Sequence, residues 1–269
     1  MNKVAVIMSV YKLDNVSFFK ESVYSILNQS EPVDIYICCD GPIPFELDSA
    51  VEVFESYDSV RIVRNPINMG LAHSLNKLID IVSASNYSYI ARMDSDDISS
   101  LNRIKLQLDF LEINKAIDVL GSACHEFGAS FCLSIKKLPL SHDDLVRFSV
   151  YRCPFIHPTV MFRASVFESG IRYPVNTSYT EDLALWYELI LSGFKFANLP
   201  DSLLRYRLNE STLERRTGMK KALDEFSLRY RFMIKSNRFS FKLIFLVFFR
   251  ALLALSPSFL KKGLYKYVR

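Results

Sequence analysis

Within the first 93 residues, four short apolar runs alternate with three segments of helical period. The runs at 4–8, 34–39, 60–63 and 87–93 read as strands. The first is continuously apolar and β-branched, as expected of a strand covered on both faces. Between them, 16–29 places Phe19, Val23, Ile26 and Leu27 on one side. Segment 45–57 does the same with Leu47, Val51 and Phe54, and 70–82 with Leu71, Leu75, Leu78 and Ile79. Alternation of this length predicts an α/β fold, a mostly parallel sheet flanked by helices on both faces. Open sheets of this kind bind ligands beyond the carboxyl ends of their strands. Polar residues stand at those ends: Ser9 and Tyr11 after the first strand, Asp40-Gly41 after the second, Asp94 after the fourth.

The fourth run, YIARMDSDD, stops abruptly in Asp94, Asp96 and Asp97. Clustered carboxylates are hard oxygen ligands and suit Mg²⁺ or Mn²⁺, cations held by one or two carboxylates plus substrate phosphates. A solvated acidic turn reads equally well from these residues alone, as does the N-terminus of a following helix capped by Ser99 or Ser100. That helix is expected over 100–114, with Leu101, Ile104, Leu108 and Leu111 as its buried stripe. Segment 119–131 reads as strand and turn, and RCPFIHPTVMFR at 152–163 ends in a strand-like run. Glu181-Asp182 opens a helix that turns Leu185, Trp186 and Leu189 inward.

A net charge of +4 is mild, and the basic residues gather late in the chain, from Arg205 to Lys221 and again from Lys261 to Arg269. This suits an anionic lipid surface or phosphate better than a nucleic acid. Five cysteines without a CxxC pair fit free thiols in a reducing cytosol. Cys153 shows no partnered base. The four histidines have no zinc-ligand spacing, and His157 suits either a structural hydrogen bond or a substrate contact. The chain runs from Met1 directly into a strand, with no signal-peptide pattern. Segment 239–255, FSFKLIFLVFFRALLAL, is interrupted by Lys242 and Arg250, and its longest apolar run, 243–249, is far short of the roughly 20 residues of a membrane span. It reads as an interfacial anchor, with a core helix or a dimer contact as the alternatives.

The order and spacing of the strand ending in Tyr11, Asp40-Gly41, NMGLAHSLN, DSDD and TEDLALW resemble the family 2 glycosyltransferases of GT-A fold, over roughly residues 1–215. FIHPTVMFR at 155–163 further resembles bacterial O-antigen and exopolysaccharide transferases of amylovoran type. The resemblance implies a catalytic domain at 1–215, with a nucleotide-binding half at 1–97 and an acceptor half at 98–215. A helical, membrane-associating extension would follow at 216–269. It implies that Ser9, Tyr11, Asp40 and Asp94 line the nucleotide site, Tyr11 stacking on uracil and Asp40 accepting from its ring N–H. It further implies that Asp96, assisted by Asp97, holds Mn²⁺ or Mg²⁺ at the diphosphate, with Arg205, Arg207 and Arg215 as candidate diphosphate partners. Asp182 would be the catalytic base and Glu181 its neighbour at the acceptor. The family often ends its catalytic domain with Tyr-Arg-x-His; here Asn209 takes the histidine position, so no histidine contact is expected there. The Q-x-x-R-W signature of processive synthases is absent, which points to one sugar per visit.

The activity so implied is inverting, metal-dependent transfer of one hexose, galactose or glucose in β1,3 linkage, from a UDP-sugar. The acceptor would be a lipid-linked saccharide, polyprenyl-diphosphate GlcNAc or GalNAc, reached from the cytoplasm at the inner-membrane surface. A sugar nucleotidyltransferase is the first rival, but MSVYKLDN lacks the glycine-rich phosphate loop it needs. A phosphatase of haloacid type is the second, but Asp97 and Ile98 follow its Asp-x-Asp in place of the expected pattern. A non-catalytic membrane-bound binding module is the third, and it gives no reason for both DSDD and TED.

Overall fold

The first strand, β1 (Val4–Val10), sends alternate side chains into two separate cores. Val4, Val6, Met8 and Val10 face one; Ala5 and Ile7 face the other. A strand apolar at both parities can sit only in the middle of a layered structure. The computed structural model describes residues 3–177, 180–210 and 219–238, with 241, 244, 245, 248 and 249. Around β1 the chain adds α1 (Val16–Leu27), β2 (Asp34–Cys39), α2 (Phe45–Glu55), β3 (Val60–Arg64), α3 (Leu71–Ser83) and β4 (Tyr89–Arg92). All four of these strands pair in parallel, in the order β3-β2-β1-β4. Helix α1 begins where the Asn15 side chain accepts the Phe18 N–H. It lays Phe19, Val23 and Ile26 on the first core beside Leu47, Val51 and Phe54 of α2, while α3 puts Leu75, Leu78, Ile79 and Val82 on the second. Each such buried side chain stabilises the fold by about 1.5–3 kcal/mol.

Beyond β4 the sheet becomes mixed. The chain continues through β5 (Ile98–Ser99), α4 (Arg103–Ile113), β6 (Val119–Phe127), α5 (His142–Ser149), a 3₁₀ turn (His157–Thr159) and β7 (Met161–Arg163). Then follow α6 (Ser165–Glu168), α7 (Glu181–Leu191), β8 (Phe196–Arg207) and α8 (Met219–Lys235). The full order is β3-β2-β1-β4-β7-β6-β8-β5. Strand β7 runs antiparallel to both β4 and β6, β8 parallel to β6, and β5 antiparallel to β8. The expected helix at 100–114 is α4, which starts only at Arg103, so Leu101 precedes it and is exposed instead of joining the buried stripe; the strand-like end of 152–163 is β7. Strand β8 has no counterpart in the sequence reading, because Pro200-Asp201 interrupts it. The structure accommodates the break with register shifts against β6 at Ala123, the kind of irregularity where a sheet tolerates proline.

The second half of the sheet closes over Trp186 of α7, which is fully buried against Phe155, Phe162 and Phe196. Gly121 on β6 is required there, since a Cβ would lie 2.2 Å from Asn198 Oδ1 and 2.6 Å from a Phe155 ring carbon. Helix α8 docks on α7: the Phe232 ring stacks on Tyr187 at 3.9 Å, and Met233 is buried with it. No helix among the described residues is long and apolar enough to cross a membrane. The 239–255 segment lies largely outside the described residues; within it, Phe241, Phe245, Phe248 and Phe249 are exposed.

Candidate active site

The carboxyl ends of β1, β2 and β4 form one edge, and the polar residues found there are tied to one another. Ser9 and Tyr11 are half-buried at the end of β1. Asp14, just beyond, accepts the Tyr11 N–H at 3.1 Å and the Ser95 hydroxyl at 2.8 Å, while its own N–H donates to the Tyr11 carbonyl. One carboxylate thereby fixes the Tyr11 loop to the DSDD turn.

Asp40 anchors the loop after β3. Its side chain is 3% exposed. Oδ1 accepts Asn65 Nδ2 at 3.1 Å and the Met69 N–H at 2.8 Å, and Oδ2 accepts the Gly70 N–H at 2.8 Å. A carboxylate oxygen has two acceptor directions, so Oδ2 keeps one for a ligand donor. The loop passes so close that a Cβ on Gly41 (φ 83°) would lie 2.5 Å from Asn68 N. Glycine is needed there on both counts.

In the DSDD turn, one carboxylate oxygen from each of Asp94, Asp96 and Asp97 lies within 4.8 Å of the others. Asp94 forms an ion pair with Arg92, a β4 residue 2% exposed, and its carbonyl accepts the Ser22 hydroxyl at 2.7 Å. Asp97 is fully buried; Oδ1 accepts the Arg207 N–H at 2.7 Å, while Oδ2 has no hydrogen-bond partner. Loss of hydration and the charges of Asp94 and Asp96 raise the Asp97 pKa well above the ordinary carboxylate value. Asp96 reaches solvent as a residue, yet protein crowds its carboxyl. That burial, then the charges of Asp94 and Asp14, push its pKa up to about 7. Three crowded carboxylates with one buried, unpartnered oxygen fit a hard divalent cation.

Arg207 is placed against this turn. Its Nε donates to the Asp96 carbonyl at 2.8 Å, its Nη2 pairs with Glu21, and the guanidinium lies between the rings of Phe18 (3.8 Å) and Phe127 (4.5 Å). Two of its three nitrogens thus hold protein groups, which makes Arg207 first a support for the DSDD backbone.

Glu181 and Asp182 open α7, where the helix macrodipole favours negative charge. Asp182 Oδ1 accepts the Leu183 N–H at 2.7 Å, and Oδ2 is 3.5 Å from the Cys153 sulfur. The phenol of Tyr173, 1% exposed, is within electrostatic reach of both this cluster and DSDD, feeling the charges of Arg92, Asp182, Glu181 and Asp94. Its hydroxyl bonds His157 Nε2 at 2.7 Å, and Asn76 clamps its backbone through both the N–H and the carbonyl. Burial and the Arg92 charge hold the His157 pKa far below its usual value, so its imidazole is neutral. His157 is therefore a hydrogen-bonding support for Tyr173.

Asp14, Arg92 and Tyr173 were not singled out by sequence reading. For Arg92 a signal was present: a charge inside an otherwise apolar strand needs a buried partner. Asp14 and Tyr173 sit in loops whose course is set by tertiary structure.

The sequence pattern of Glycosyl transferase family 2 matches residues 5–169. The chain is 30% identical over 270 residues to the UDP-Gal:α-D-GlcNAc-diphosphoundecaprenol β-1,3-galactosyltransferase of Escherichia coli, spanning 99% of this chain and 96% of that protein. It is 30% identical over 240 residues to the amylovoran biosynthesis glycosyltransferase AmsE of Erwinia amylovora, spanning 87% and 88%. The mannosyltransferase PcManGT of Pyrobaculum calidifontis, solved with GDP-Man and Mn²⁺, shares the fold. Its TM-score is 0.62 at 14% identity, across 89% of this chain and 65% of that one. A mixed sheet of this order, a matched pattern covering more than half the chain and end-to-end relatives agree: the chain is a glycosyltransferase and belongs to glycosyl transferase family 2.

Proposed function

We propose that the protein transfers a single hexose, galactose or glucose, from a UDP-sugar to a lipid-linked saccharide, polyprenyl-diphosphate GlcNAc or GalNAc, with inversion and in β1,3 linkage. The observation that carries this reading is the pair of carboxylate clusters around Tyr173. The DSDD group lies at the carboxyl end of β4, Asp182 lies in the first turn of α7, and the charges of both act on the Tyr173 phenol, which supports this reading. The relative that acts on a diphosphoundecaprenol acceptor, similar along nearly the whole chain, supports the donor and acceptor classes.

In this reading Tyr11 stacks on uracil, Oδ2 of Asp40 accepts the ring N–H, and Ser9 and Asp94 line the ribose side. Asp96 and Asp97 would hold Mn²⁺ or Mg²⁺, which when bound neutralises charge on the departing diphosphate. Arg207 keeps the DSDD turn in place and can offer its remaining nitrogen to that diphosphate. Asp182 takes the proton of the acceptor hydroxyl as that oxygen bonds to the anomeric carbon. The bond from that carbon to the diphosphate oxygen breaks, its electron pair leaves with UDP, and the configuration inverts. Glu181 orients the acceptor. We read residues 1–215 as the catalytic domain and 216–269 as an extension whose α8 docks on α7. The exposed Phe241, Phe245, Phe248 and Phe249, with the basic residues that follow, suit the cytoplasmic surface of the inner membrane.

The test is a transfer assay with Mn²⁺ and a synthetic GlcNAc-diphosphate-lipid, offered UDP-glucose, UDP-galactose and their N-acetyl forms separately. One donor should yield a β-linked product. Asp96→Ala and Asp182→Asn should each lower the rate about 10²–10⁴-fold, the range for a lost acid–base or electrostatic group. Full activity in Asp182→Asn would remove the base assignment, and an α-linked product would remove inversion.

A further inference from the structure

Asp182 is the group to which the transfer reading assigns the acceptor proton, and the inference made here rests on that reading. Its two oxygens are held from different directions. The Leu183 N–H donates to Oδ1 at 2.7 Å, and the Cys153 thiol meets Oδ2 at 3.5 Å. Cys153 keeps part of its surface exposed, but its thiol is enclosed by protein. That burial, with the negative charge of Asp182, pushes the thiol pKa up, so sulfur carries its proton and acts as a donor.

The segment that carries the thiol is itself fixed. Arg229 of α8, 1% exposed, donates to the carbonyls of Ser149 (2.9 Å) and Val150 (3.0 Å) and to the Tyr187 hydroxyl on α7 (3.2 Å). The Tyr187 hydroxyl donates in turn to the Ser149 carbonyl at 2.7 Å. The two walls presenting Cys153 and Asp182 are thereby clamped together from behind by a residue outside every motif of the sequence.

We propose that Cys153 is a positioning residue for Asp182: its S–H locks Oδ2, the Leu183 N–H locks Oδ1, and Arg229 holds the thiol-bearing segment against α7. Charged and titratable groups around this pair are Glu181 and Tyr173 on the Asp182 side and Lys136, Arg229 and Tyr187 on the Cys153 side. Arg92, Asp94 and His157 act through Tyr173.

Two substitutions move the contact in opposite senses. Cys153→Ser replaces a weak donor with a stronger one on a shorter side chain, favouring the ionised carboxylate. The acid limb of the kcat profile should shift down by about half a pH unit, since a full unit already needs a differential interaction of a strong charged bond. Cys153→Ala frees Oδ2 and should shift that limb up by a similar amount. Its kcat should fall about three- to tenfold at unchanged donor KM, because the carboxylate loses its fixed rotamer. A readout independent of turnover is a pH titration of the Asp182 carboxyl carbon by NMR, on metal-free protein labelled with ¹³C-aspartate. The two variants should again move in opposite directions. Matching wild-type profiles and titrations in both, or shifts of the same sign, would overturn the proposal. Asp182→Asn, run beside them, separates the failures: activity there removes the base reading itself, while its inactivity with unmoved Cys153 variants removes only the thiol's role. If Cys153→Ala does not fold, Cys153→Ser carries the test through the sign of its shift.

Discussion

Replacing Asp40 separates the loop-anchoring role of its carboxylate from the uracil contact proposed for it. The side chain is 3% exposed and accepts from Asn65 Nδ2, the Met69 N–H and the Gly70 N–H at 2.8–3.1 Å. Hydrogen bonds to a charged acceptor contribute about 1.5–3 kcal/mol each, and the bonds of one carboxylate are not additive. Asp40→Ala leaves all three donors without this acceptor, with an expected loss of about 4 kcal/mol. Asp40→Asn keeps an oxygen for two donors but turns an NH₂ group toward the Gly70 N–H, for a loss of about 2 kcal/mol. Urea unfolding followed by circular dichroism should show these as midpoint shifts at constant slope, in the order Ala beyond Asn. Calorimetric titration with UDP reads the second role. Both variants should bind UDP weakly, since Asn presents a donor where the uracil N–H needs an acceptor. Wild-type midpoints in both variants would refute the loop-anchor argument. Lowered midpoints with undiminished UDP affinity would refute the base contact and leave Asp40 as scaffold alone.

Metal-free protein should lose stability with rising pH. The folded chain keeps protons on Asp96 and Asp97 that the unfolded chain, at the ordinary carboxylate value of 3.8, releases. That contribution is complete below about pH 4 and is lost as pH climbs through about 7 for Asp96 and higher for Asp97. Thermal unfolding in chelator should track the decline, and Mn²⁺ should offset it increasingly toward alkaline pH; a flat profile in chelator would refute the raised carboxyls. Gly121→Ala should cost about 1–3 kcal/mol by overpacking against Asn198 and Phe155, and an unchanged melting temperature would show that β6 moves away freely.

The parallel half of the sheet was legible because its strands are apolar at both parities and its helices show a clean stripe, as Phe19, Val23 and Ile26 do on α1. Strand β8 was not legible: Pro200-Asp201 looks like a turn in sequence, and only pairing with β6 makes the bulged segment a strand. The site divides the same way. Asp94, Asp96, Asp97, Glu181 and Asp182 stand out as acidic clusters at element ends. Asp14, Tyr173 and Arg229 do not, because each matters through contacts distant in the chain. Examples are Asp14 to Ser95 at a separation of 81 and Arg229 to Val150 at 79. Cys153 looked partnerless for the same reason, since its carboxylate neighbour lies 29 residues on. Arg207 was legible as a basic residue near the site but not as a support, because stacking between Phe18 and Phe127 follows from the sheet.

The charge balance of the DSDD turn explains why a cation suits it better than another arginine would. Asp94 already has Arg92 beneath it, and Asp97 Oδ1 already has the Arg207 N–H. A second buried guanidinium lies close by: Arg103 donates to the Arg92 carbonyl, and burial together with the charge of Arg92 lowers its pKa to about 9. Further positive charge on the protein side would add to that strain. What stays uncompensated is the crowded Asp96 carboxyl and the buried Oδ2 of Asp97. In the proposed reading, a fixed cationic side chain placed there would occupy the face that the diphosphate approaches. A divalent ion would instead fill the same deficit and keep coordination positions for phosphate oxygens, with two carboxylates supplied by the protein and the remaining ligands by the substrate.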